Sequence, residues 1–149
     1  MAAPPPILVS ACLAGEACRY DGGSCPDQEV LALKAAGRIV PVCPELLGGL
    51  ATPRGSAEIV GGSGGDVLDG RARVLDCYGQ DVTDAFVAGA RQVAALAESL
   101  QVREAILKDF SPSCGCTLIY DGSFSRRRVP GEGVLAALLR RRGLRVTPA

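Results

Sequence analysis

Short apolar runs recur along this chain at intervals that suit the buried strands of a parallel sheet. Residues 7–11 form the first run, residues 39–42 the second and residues 105–107 the third. Runs of this length, bounded by glycine, proline or polar residues, are typical of strands that are buried on both faces. Two weaker runs predict a further short strand at residues 73–75 and an edge strand at residues 144–146.

Helical segments separate these apolar runs. After the first strand, Asp27 is a suitable N-cap for a helix that continues to about Ala36 and stops at Gly37. Residues 133–142 predict the last helix, which Gly143 ends. Helices thus occupy the intervals between the predicted strands.

The clearest helix is predicted over residues 84–100, with Thr83 as its N-cap. Apolar side chains recur here at alternating steps of four and three residues, which places them on one face of a helix. This predicted buried stripe consists of Phe86, Ala90, Val93, Ala97 and Leu100. Such a helix packs its apolar face against the rest of the core.

The order of these elements defines the fold class. Strands that alternate with helices form an α/β fold with a mostly parallel sheet and helices on both faces. The 149 residues contain no long linker and no internal repeat, so residues 1–149 are predicted to form a single domain. The glycine-rich segment 61–65 predicts a flexible surface loop. A phosphate-binding loop is the disfavoured alternative, because no Lys-Ser or Lys-Thr follows and no helix is expected there.

Three cysteines follow predicted strands and are expected to meet. Cys12 follows the first strand and Cys43 follows the second. Cys114 lies six residues beyond Lys108, at the exit of another strand. In open α/β sheets, ligands bind beyond the carboxyl ends of the strands. The predicted topology therefore delivers three thiols from separate loops to one edge of the sheet.

Composition restricts the chemistry that is available at this edge. The chain contains no histidine, which excludes Ser-His and Cys-His nucleophilic pairs and His-ligated zinc. Any metal must therefore be held by sulfur and oxygen. Lys plus Arg equals Asp plus Glu at 16 each, so there is no overall positive field for a nucleic-acid backbone. Basic clusters at residues 126–128 and 140–142 keep a nucleic-acid partner open but disfavoured.

The seven cysteines indicate a reducing compartment. Their odd number and the lack of a secretory signal argue against a disulfide framework. Residues 9–12 imitate a lipoprotein cleavage site, but the apolar run before them is far too short for a leader. No stretch of the sequence is suited to cross a membrane. We therefore expect a cytoplasmic protein whose thiols bind metal, serve in catalysis or are simply buried.

Spacing alone leaves the role of each cysteine undecided. There is no C-x-x-C motif, and Cys114 and Cys116 are separated by a single residue. Cys77 lies away from the turns at the strand ends and is predicted to be structural. Cys18, Cys25 and Cys116 stay open between inert burial and a role in a site.

Three separated motifs resemble those of one protein family. The first consists of Ser10-Ala11-Cys12-Leu13 and residues 18–22, the second of Cys43-Pro44-Glu45, residues 48–50 and Pro53-Arg54, and the third of Lys108 and residues 111–115 and 119–122. In this order, the motifs are similar to those of the thiouracil desulfurases. The resemblance extends over residues 7–146, which is nearly the whole chain.

This resemblance implies a Rossmann-like domain that carries a four-iron, four-sulfur (4Fe-4S) cluster with only three cysteine ligands. Mapped onto this chain, the ligands are Cys12, Cys43 and Cys114. The resemblance also implies that Glu45 and a serine of the third motif, Ser111 or Ser113, take part in catalysis. The implied reaction converts a small thiolated pyrimidine, 2-thiouracil or a related thiouracil, to the oxo base with release of sulfide.

Three cysteine ligands leave one iron of such a cluster open. A thiophilic iron at that position binds sulfur and polarises the carbon–sulfur bond without net redox change. In this hypothesis Glu45 is the general base that activates water, and Ser111 or Ser113 contacts the substrate or relays a proton. An ordinary surface or helix-capping role is the alternative for Glu45, and turn capping is the alternative for the serines.

Three charged residues are predicted to bind the substrate. Asp21 and Arg54 would recognise the edges of the pyrimidine, or would instead serve as structural ion-pair partners. Lys108, at a strand exit, would offset the negative charge of the cluster.

Other functions stay open at this stage. One is a non-catalytic zinc or iron–sulfur domain with a structural or sensing role, in which Cys18 or Cys116 closes the metal site. A thiol redox enzyme that uses Cys114 and Cys116 is disfavoured, because no C-x-x-C motif begins a helix. Action on thiolated uridine within RNA is disfavoured by the neutral net charge. The preferred thiobase and the oligomeric state are left open.

Overall fold

The computed structural model describes residues 4–149, which form a four-stranded parallel sheet, five helices and two short antiparallel strand pairs. The strands are β1 (Ile7–Ser10), β2 (Ile39–Val42), β3 (Ala57–Val60), β4 (Arg73–Asp76), β5 (Glu104–Leu107), β6 (Leu118–Tyr120), β7 (Arg128–Pro130) and β8 (Arg145–Pro148). The helices are α1 (Gln28–Ala35), α2 (Pro44–Leu47), α3 (Gly64–Leu68), α4 (Thr83–Ser99) and α5 (Val134–Arg141), and a 3-10 turn covers Ala11–Ala14. Across these residues, no helix is both long and apolar enough to cross a membrane.

The parallel sheet places the three strongest predicted strands side by side. Its order is β2-β1-β5-β8, and every neighbouring pair is parallel. The strands predicted at residues 7–11, 39–42 and 105–107 are confirmed as β1, β2 and β5, and the predicted edge strand is β8. The strand predicted at residues 73–75 is also present, but as β4 it pairs antiparallel with β3 outside this sheet.

Helices cover both faces of the sheet, as predicted. Successive side chains of a strand point to opposite faces. Leu8 of β1 and Leu107 of β5 belong to the buried cluster that contains the apolar residues of α4 and α5. Val9 of β1 and its neighbour Ile106 of β5 pack instead with Val30 of α1. The sheet is therefore the central layer of an α/β domain.

Capping residues fix the ends of the shorter predicted helices. The Asp27 side chain accepts a hydrogen bond from the Val30 amide at 3.1 Å, so the predicted N-cap of α1 is confirmed. Gly37 follows α1 with a φ of +69°, a left-handed conformation that glycine adopts without steric cost. Gly143 has the same role after α5, with a φ of +85°.

Helix α4 has the predicted position but differs at both ends. Thr83 is its first residue rather than its N-cap, because the Thr83 hydroxyl accepts a hydrogen bond from the Val74 amide of β4 at 2.9 Å. The prediction that Leu100 belongs to the buried stripe is also wrong. Leu100 lies after the last turn and is 42% exposed, whereas Gly89 and Ala94 broaden the buried face instead.

The glycine-rich segment 61–65 is not simply the predicted loop. Ser63 forms a reciprocal capping box with Asp66, and α3 begins at Gly64. Only a glycine fits at position 64, because a Cβ there would lie 2.1 Å from the Gly133 carbonyl oxygen before α5. The glycine run was predicted to form a flexible loop. At Gly64, however, glycine is required because two backbones approach each other closely.

Several short elements were not predicted from the sequence. The helix α2 has four residues, and β3, β6 and β7 have three or four residues each. β3 pairs with β4, and β6 pairs with β7, so both antiparallel pairs lie outside the parallel sheet. Segments this short carry too few residues for a hydrophobic period to be recognised.

Two glycines let α2 lie directly against α4. A Cβ on Gly89 of α4 would lie 1.8 Å from the Pro44 carbonyl oxygen, and a Cβ on Gly48 would lie 2.0 Å from the Ala85 carbonyl oxygen. Both separations are far below van der Waals contact. The turn that carries Cys43 and Glu45 is thus seated on the longest helix of the domain.

We expect Gly89→Ala to destabilise the protein by about 1–3 kcal/mol, because the added methyl group must push α2 away from α4. This effect is opposite in sign to the gain of roughly 1 kcal/mol in the free energy of unfolding that a Gly→Ala replacement brings within an unobstructed helix. Urea unfolding measures the difference. Gly65→Ala is the matched control, since a Cβ there meets only the flexible Arg141 side chain, at 3.3 Å. A stability gain in Gly89→Ala would contradict the close helix contact.

Candidate functional site

The first cysteine lies on the 3-10 turn that directly follows β1. Cys12 is buried, as are its neighbours Ala11 and Leu13. The Gly15 amide donates to the Cys12 carbonyl oxygen at 3.2 Å, and the Cys25 amide donates to the same oxygen at 3.0 Å. The segment that ends at Cys25 is therefore folded back onto this turn.

The second cysteine and the predicted base share the turn after β2. Cys43 is the N-cap residue of α2, and Pro44 occupies its first position, where the missing amide hydrogen carries no cost. The Leu47 amide donates to the Cys43 carbonyl oxygen at 3.0 Å and closes the turn. Glu45 is the next residue, so Cys43 and Glu45 are held on one short rigid unit.

The third cysteine lies in a hydrogen-bonded loop between β5 and β6. The Ser111 hydroxyl oxygen accepts from the Cys114 amide at 2.7 Å and from the Ser113 amide at 3.2 Å. At the start of α5, the Leu135 amide donates to the Ser113 carbonyl oxygen at 2.9 Å. Ser113 and Cys114 are both buried. This loop is therefore part of the packed structure rather than a free surface segment.

These three loops meet at the carboxyl edge of the sheet. Ser10 ends β1, and its hydroxyl oxygen accepts from the Lys108 amide after β5 at 2.9 Å. The Ser113 hydroxyl donates to Glu45 Oε2 at 2.9 Å and so connects the third loop to the second. The structure thus brings together the turns that carry Cys12, Cys43 and Cys114.

Cys18 adds a fourth thiol whose role the sequence left open. It is buried in the same cluster as Cys12 and Cys43, and its carbonyl oxygen accepts from the Cys43 thiol at 3.8 Å. The neighbouring Cys18 thiol lowers the pKa of Cys12, and the Cys12 thiol raises the pKa of Cys18 to about 11. The Cys18 thiol also raises the pKa of Cys43, and burial raises the pKa of Cys114 to about 12. A metal bound here would displace protons from thiols.

Glu45 is held through both of its carboxylate oxygens. Oε1 accepts from Arg54 Nε at 3.1 Å, and Oε2 accepts from the Ser113 hydroxyl. The side chains of Arg54 and Glu45 are only 9% and 15% exposed, so water screens this ion pair weakly. Arg54 also donates to the Cys18 carbonyl oxygen at 3.0 Å and to two oxygens of residues 51–52. The structure thus gives Arg54 the ion-pair role that was considered as its alternative.

The other two predicted substrate-binding residues lie nearer the surface. Asp21 is exposed, and its Oδ1 accepts from the Gly23 amide at 2.8 Å. The Lys108 ammonium group lies 5.1 Å from the centre of the Phe110 ring, within the range of a cation–π contact. Direct contact of Asp21, Lys108 or Arg54 with a substrate stays a prediction.

Sequence reasoning missed Asp109, which anchors the loop of Cys114. Its Oδ1 accepts from the amides of Phe110, Cys116, Thr117 and Leu118 at 3.0, 2.8, 3.1 and 3.4 Å, and its Oδ2 accepts from the Thr117 hydroxyl. Burial raises the pKa of Asp109, but these hydrogen bonds outweigh it and lower the pKa to about 2. An aspartate directly after a strand exit was the available signal, because Asp side chains often bond nearby backbone amides in turns.

The remaining cysteines differ in their surroundings. Cys116 is buried, and burial raises the pKa of its thiol to about 12. Cys25 is half-buried beside the Cys12 turn. Cys77 is exposed, so the prediction that it is structural is wrong. It lies just beyond the end of β4, where its amide donates to the Ser56 carbonyl oxygen at 2.8 Å. Its side chain is not part of the core.

A single metal ion and an iron–sulfur cluster make different demands on the donors at this edge. Over residues 4–149, no group of three or more Cys, Asp or Glu side chains is arranged to hold one metal ion. A 4Fe-4S cluster makes a different demand, because each thiolate binds a different iron atom. Largely buried thiols from separate loops, with no histidine among them, fit such a cluster in their chemistry.

The fold and the site define an α/β protein with a thiol-rich centre at the carboxyl edge of a parallel sheet. Residues 7–148 match the family model described as 2-thiouracil desulfurase. The uncharacterized protein YbbK of Bacillus subtilis (strain 168) is 46% identical over 140 residues, which cover 94% of this chain and 93% of YbbK. The solved structure of the 4Fe-4S-dependent thiouracil desulfidase TudS aligns with a TM-score of 0.85 and 41% identity, over 97% of this chain and 91% of that chain.

The chain therefore belongs to the 2-thiouracil desulfurase family. This membership confirms the resemblance that its three motifs indicate. The match in structure also confirms the α/β fold class.

Proposed function

We propose that this protein is an iron–sulfur-dependent desulfurase that converts a thiolated pyrimidine to the oxo base and releases sulfide. Family membership and the similarity to TudS support this activity. The observation that carries the proposal is the group formed by Arg54, Glu45 and Ser113, because it places a fixed carboxylate beside the loop of a candidate ligand. Ser113 Oγ, which donates to Glu45, lies 3.7 Å from Cys114 Sγ.

In this proposal Cys12, Cys43 and Cys114 hold a 4Fe-4S cluster, and one iron keeps no protein thiolate. When bound, such a cluster supplies a thiophilic Lewis acid for the carbon–sulfur bond. The overall reaction is a hydrolysis, in which water provides the oxygen of the product and both hydrogens of hydrogen sulfide. It needs no oxidant and no reductant.

Glu45 is the proposed general base. A carboxylate offers about four acceptor positions, and Arg54 and Ser113 occupy one on each oxygen. The remaining positions can accept a proton from an attacking water. The guanidinium of Arg54 keeps the carboxylate in one orientation, which is what positioning a reacting water requires.

The two serines form a directed hydrogen-bond chain toward this base. Ser111 Oγ already accepts from two amides, so its own proton is available for Ser113 Oγ, 3.1 Å away. Ser113 in turn donates to Glu45. We therefore assign Ser113 as the serine that acts with Glu45, and Ser111 as the residue that orients it.

Substrate contacts are assigned to Asp21 and Lys108, with Arg54 contributing through Glu45. Asp21 has an exposed carboxylate that can accept a hydrogen bond from a ring N–H. Lys108 follows β5 at the same sheet edge and supplies a positive charge there. The proposed substrate is a small thiopyrimidine such as 2-thiouracil.

The test begins with anaerobic reconstitution using iron and sulfide, followed by incubation with 2-thiouracil. We expect equal amounts of uracil and sulfide to form, and we expect neither from the metal-free protein. 4-Thiouracil in a parallel reaction checks the position of the sulfur atom. A protein that holds its cluster and releases sulfide from neither thiobase would contradict the proposed activity.

One observation favours a second candidate, a non-catalytic iron–sulfur domain. Cys18 is buried beside Cys12 and Cys43, where it could serve as a fourth ligand and close the site. Four-cysteine ligation would leave no open iron for a substrate. If the second candidate is right, the wild-type protein is inactive and Cys18→Ser loses iron. If the first candidate is right, Cys18→Ser keeps both its cluster and its turnover.

A further inference from the structure

Asp109 has a hydrogen-bond pattern that neither the family resemblance nor the proposed chemistry explains. Its carboxylate is buried and accepts from the backbone on both sides of one loop. The Phe110 amide lies at the beginning of the loop, and the amides of residues 116–118 lie at its end. The carboxylate therefore connects the two ends of the loop through hydrogen bonds.

The loop closed in this way carries three residues of the proposed site. Ser111, Ser113 and Cys114 all lie between the two ends that Asp109 joins. Within residues 4–149, no Lys or Arg forms an ion pair with Asp109, so its negative charge is held by amides and one hydroxyl. A carboxylate with several amide donors is a strong and directional anchor.

The backbone of the loop is shaped to reach this anchor. Phe110, directly after Asp109, has a φ of +75°, a conformation that a bulky residue adopts only when its surroundings hold it there. The Phe110 amide bonds the Asp109 carboxylate, and its ring lies 3.9 Å from the Arg128 guanidinium. Phe110 is thus held both at its amide and at its ring. Its backbone conformation directs the chain from β5 into the loop.

We propose that Asp109 is a positioning residue that holds the Ser111–Cys114 loop in its ligand-binding shape before any metal arrives. This inference rests on the proposed function, in which that loop supplies a cluster ligand and the serine beside the base. Among the described residues, Asp109 forms no hydrogen bond with the thiol of Cys114 or with Glu45. It acts through the amides that it fixes.

The first experiment uses the metal-free protein. The alkylation rate of each cysteine by iodoacetamide is measured by mass spectrometry for wild type, Asp109→Ala and Asp109→Asn. We expect Cys114 to react about 10-fold faster or more in Asp109→Ala, since several hydrogen bonds of the loop are lost, while the rate of Cys12 stays unchanged. Asp109→Asn keeps an acceptor oxygen for the amides and should restore most of the protection.

The second experiment measures iron release from the reconstituted protein to a chelator. We expect Asp109→Ala to lose iron about 10- to 100-fold faster than wild type, the range found for residues that orient metal ligands. Val102→Ala is the matched control for lost stability, because Val102 is buried before β5, at the opposite edge of the sheet. It should retain the wild-type rate of iron release and the wild-type reactivity of Cys114.

Wild-type behaviour of Asp109→Ala in both measurements would overturn the inference, as would equal losses in Val102→Ala. If Asp109→Ala does not fold, Thr117→Val decides the question, because it removes only the hydroxyl bond to Oδ2. We then expect about threefold faster alkylation of Cys114, and an unchanged rate would refute the anchor. Neither measurement depends on thiouracil turnover, so a failure of the proposed activity is recognised separately.

Discussion

Replacing Cys12, Cys43 or Cys114 by serine is expected to remove most of the iron that the reconstituted wild-type protein retains. Each of these thiols comes from a different loop at the carboxyl edge of the sheet, so each substitution removes the proposed ligand that its loop supplies. A hydroxyl group is a much poorer ligand for iron of a cluster than a thiolate. Iron and acid-labile sulfide per chain, together with visible absorption, measure the loss.

The matched control for these three variants is Cys77→Ser. Cys77 is the exposed cysteine outside the site, and its replacement should leave the iron content unchanged. Cys18→Ser is the decisive companion, because Cys18 packs in the same cluster as two of the proposed ligands, Cys12 and Cys43. If Cys18→Ser loses the cluster while Cys114→Ser retains it, the ligand assignment is wrong.

Glu45→Ala is expected to retain the cluster and to lose turnover of 2-thiouracil. Removing a general base typically lowers the rate about 100- to 10,000-fold. The carboxylate is not among the proposed ligands, so the cluster spectrum should stay close to that of wild type. Steady-state sulfide release under anaerobic conditions measures the effect, with the iron content of each sample determined in parallel.

Glu104→Gln provides the control for this variant. Glu104 begins β5 at the opposite edge of the sheet and pairs with Arg145 at 3.2 Å, so its neutralisation should not change turnover. Full activity of Glu45→Ala at normal iron content would exclude Glu45 from the reaction. Loss of iron in Glu45→Ala would instead indicate that the carboxylate supports the metal site.

The central sheet was predictable because its strands are short, apolar and buried on both faces. Such runs stand out in a sequence whose helices begin at recognisable caps, as α1 does at Asp27. The same logic failed at Thr83, whose hydroxyl bonds β4 instead of capping α4, because this tertiary contact has no local signature. It failed again at Gly64, where a neighbouring backbone rather than flexibility demands glycine.

The site was predictable to the extent that it follows from topology. Parallel strands ending in cysteine-bearing turns place Cys12 and Cys43 at one edge, and the structure brings Cys114 to the same edge. The burial of Cys18 and the amide cluster around Asp109 were not predictable, because they depend on how the connecting loops fold back. An ion-pair role for Arg54 was considered as an alternative to substrate binding, but its partner Glu45 was not predicted.

The position of β5 beside β1 has a consequence for how the proposed site is assembled. Cys12 and Cys43 lie 31 residues apart, whereas Cys114 follows Cys43 by 71 residues. The pairing of β5 with β1 brings the loop that carries Cys114 to the turn that carries Cys12. Since the proposed ligand set depends on this pairing, a chain in which β5 is detached from β1 would not present the three thiols together.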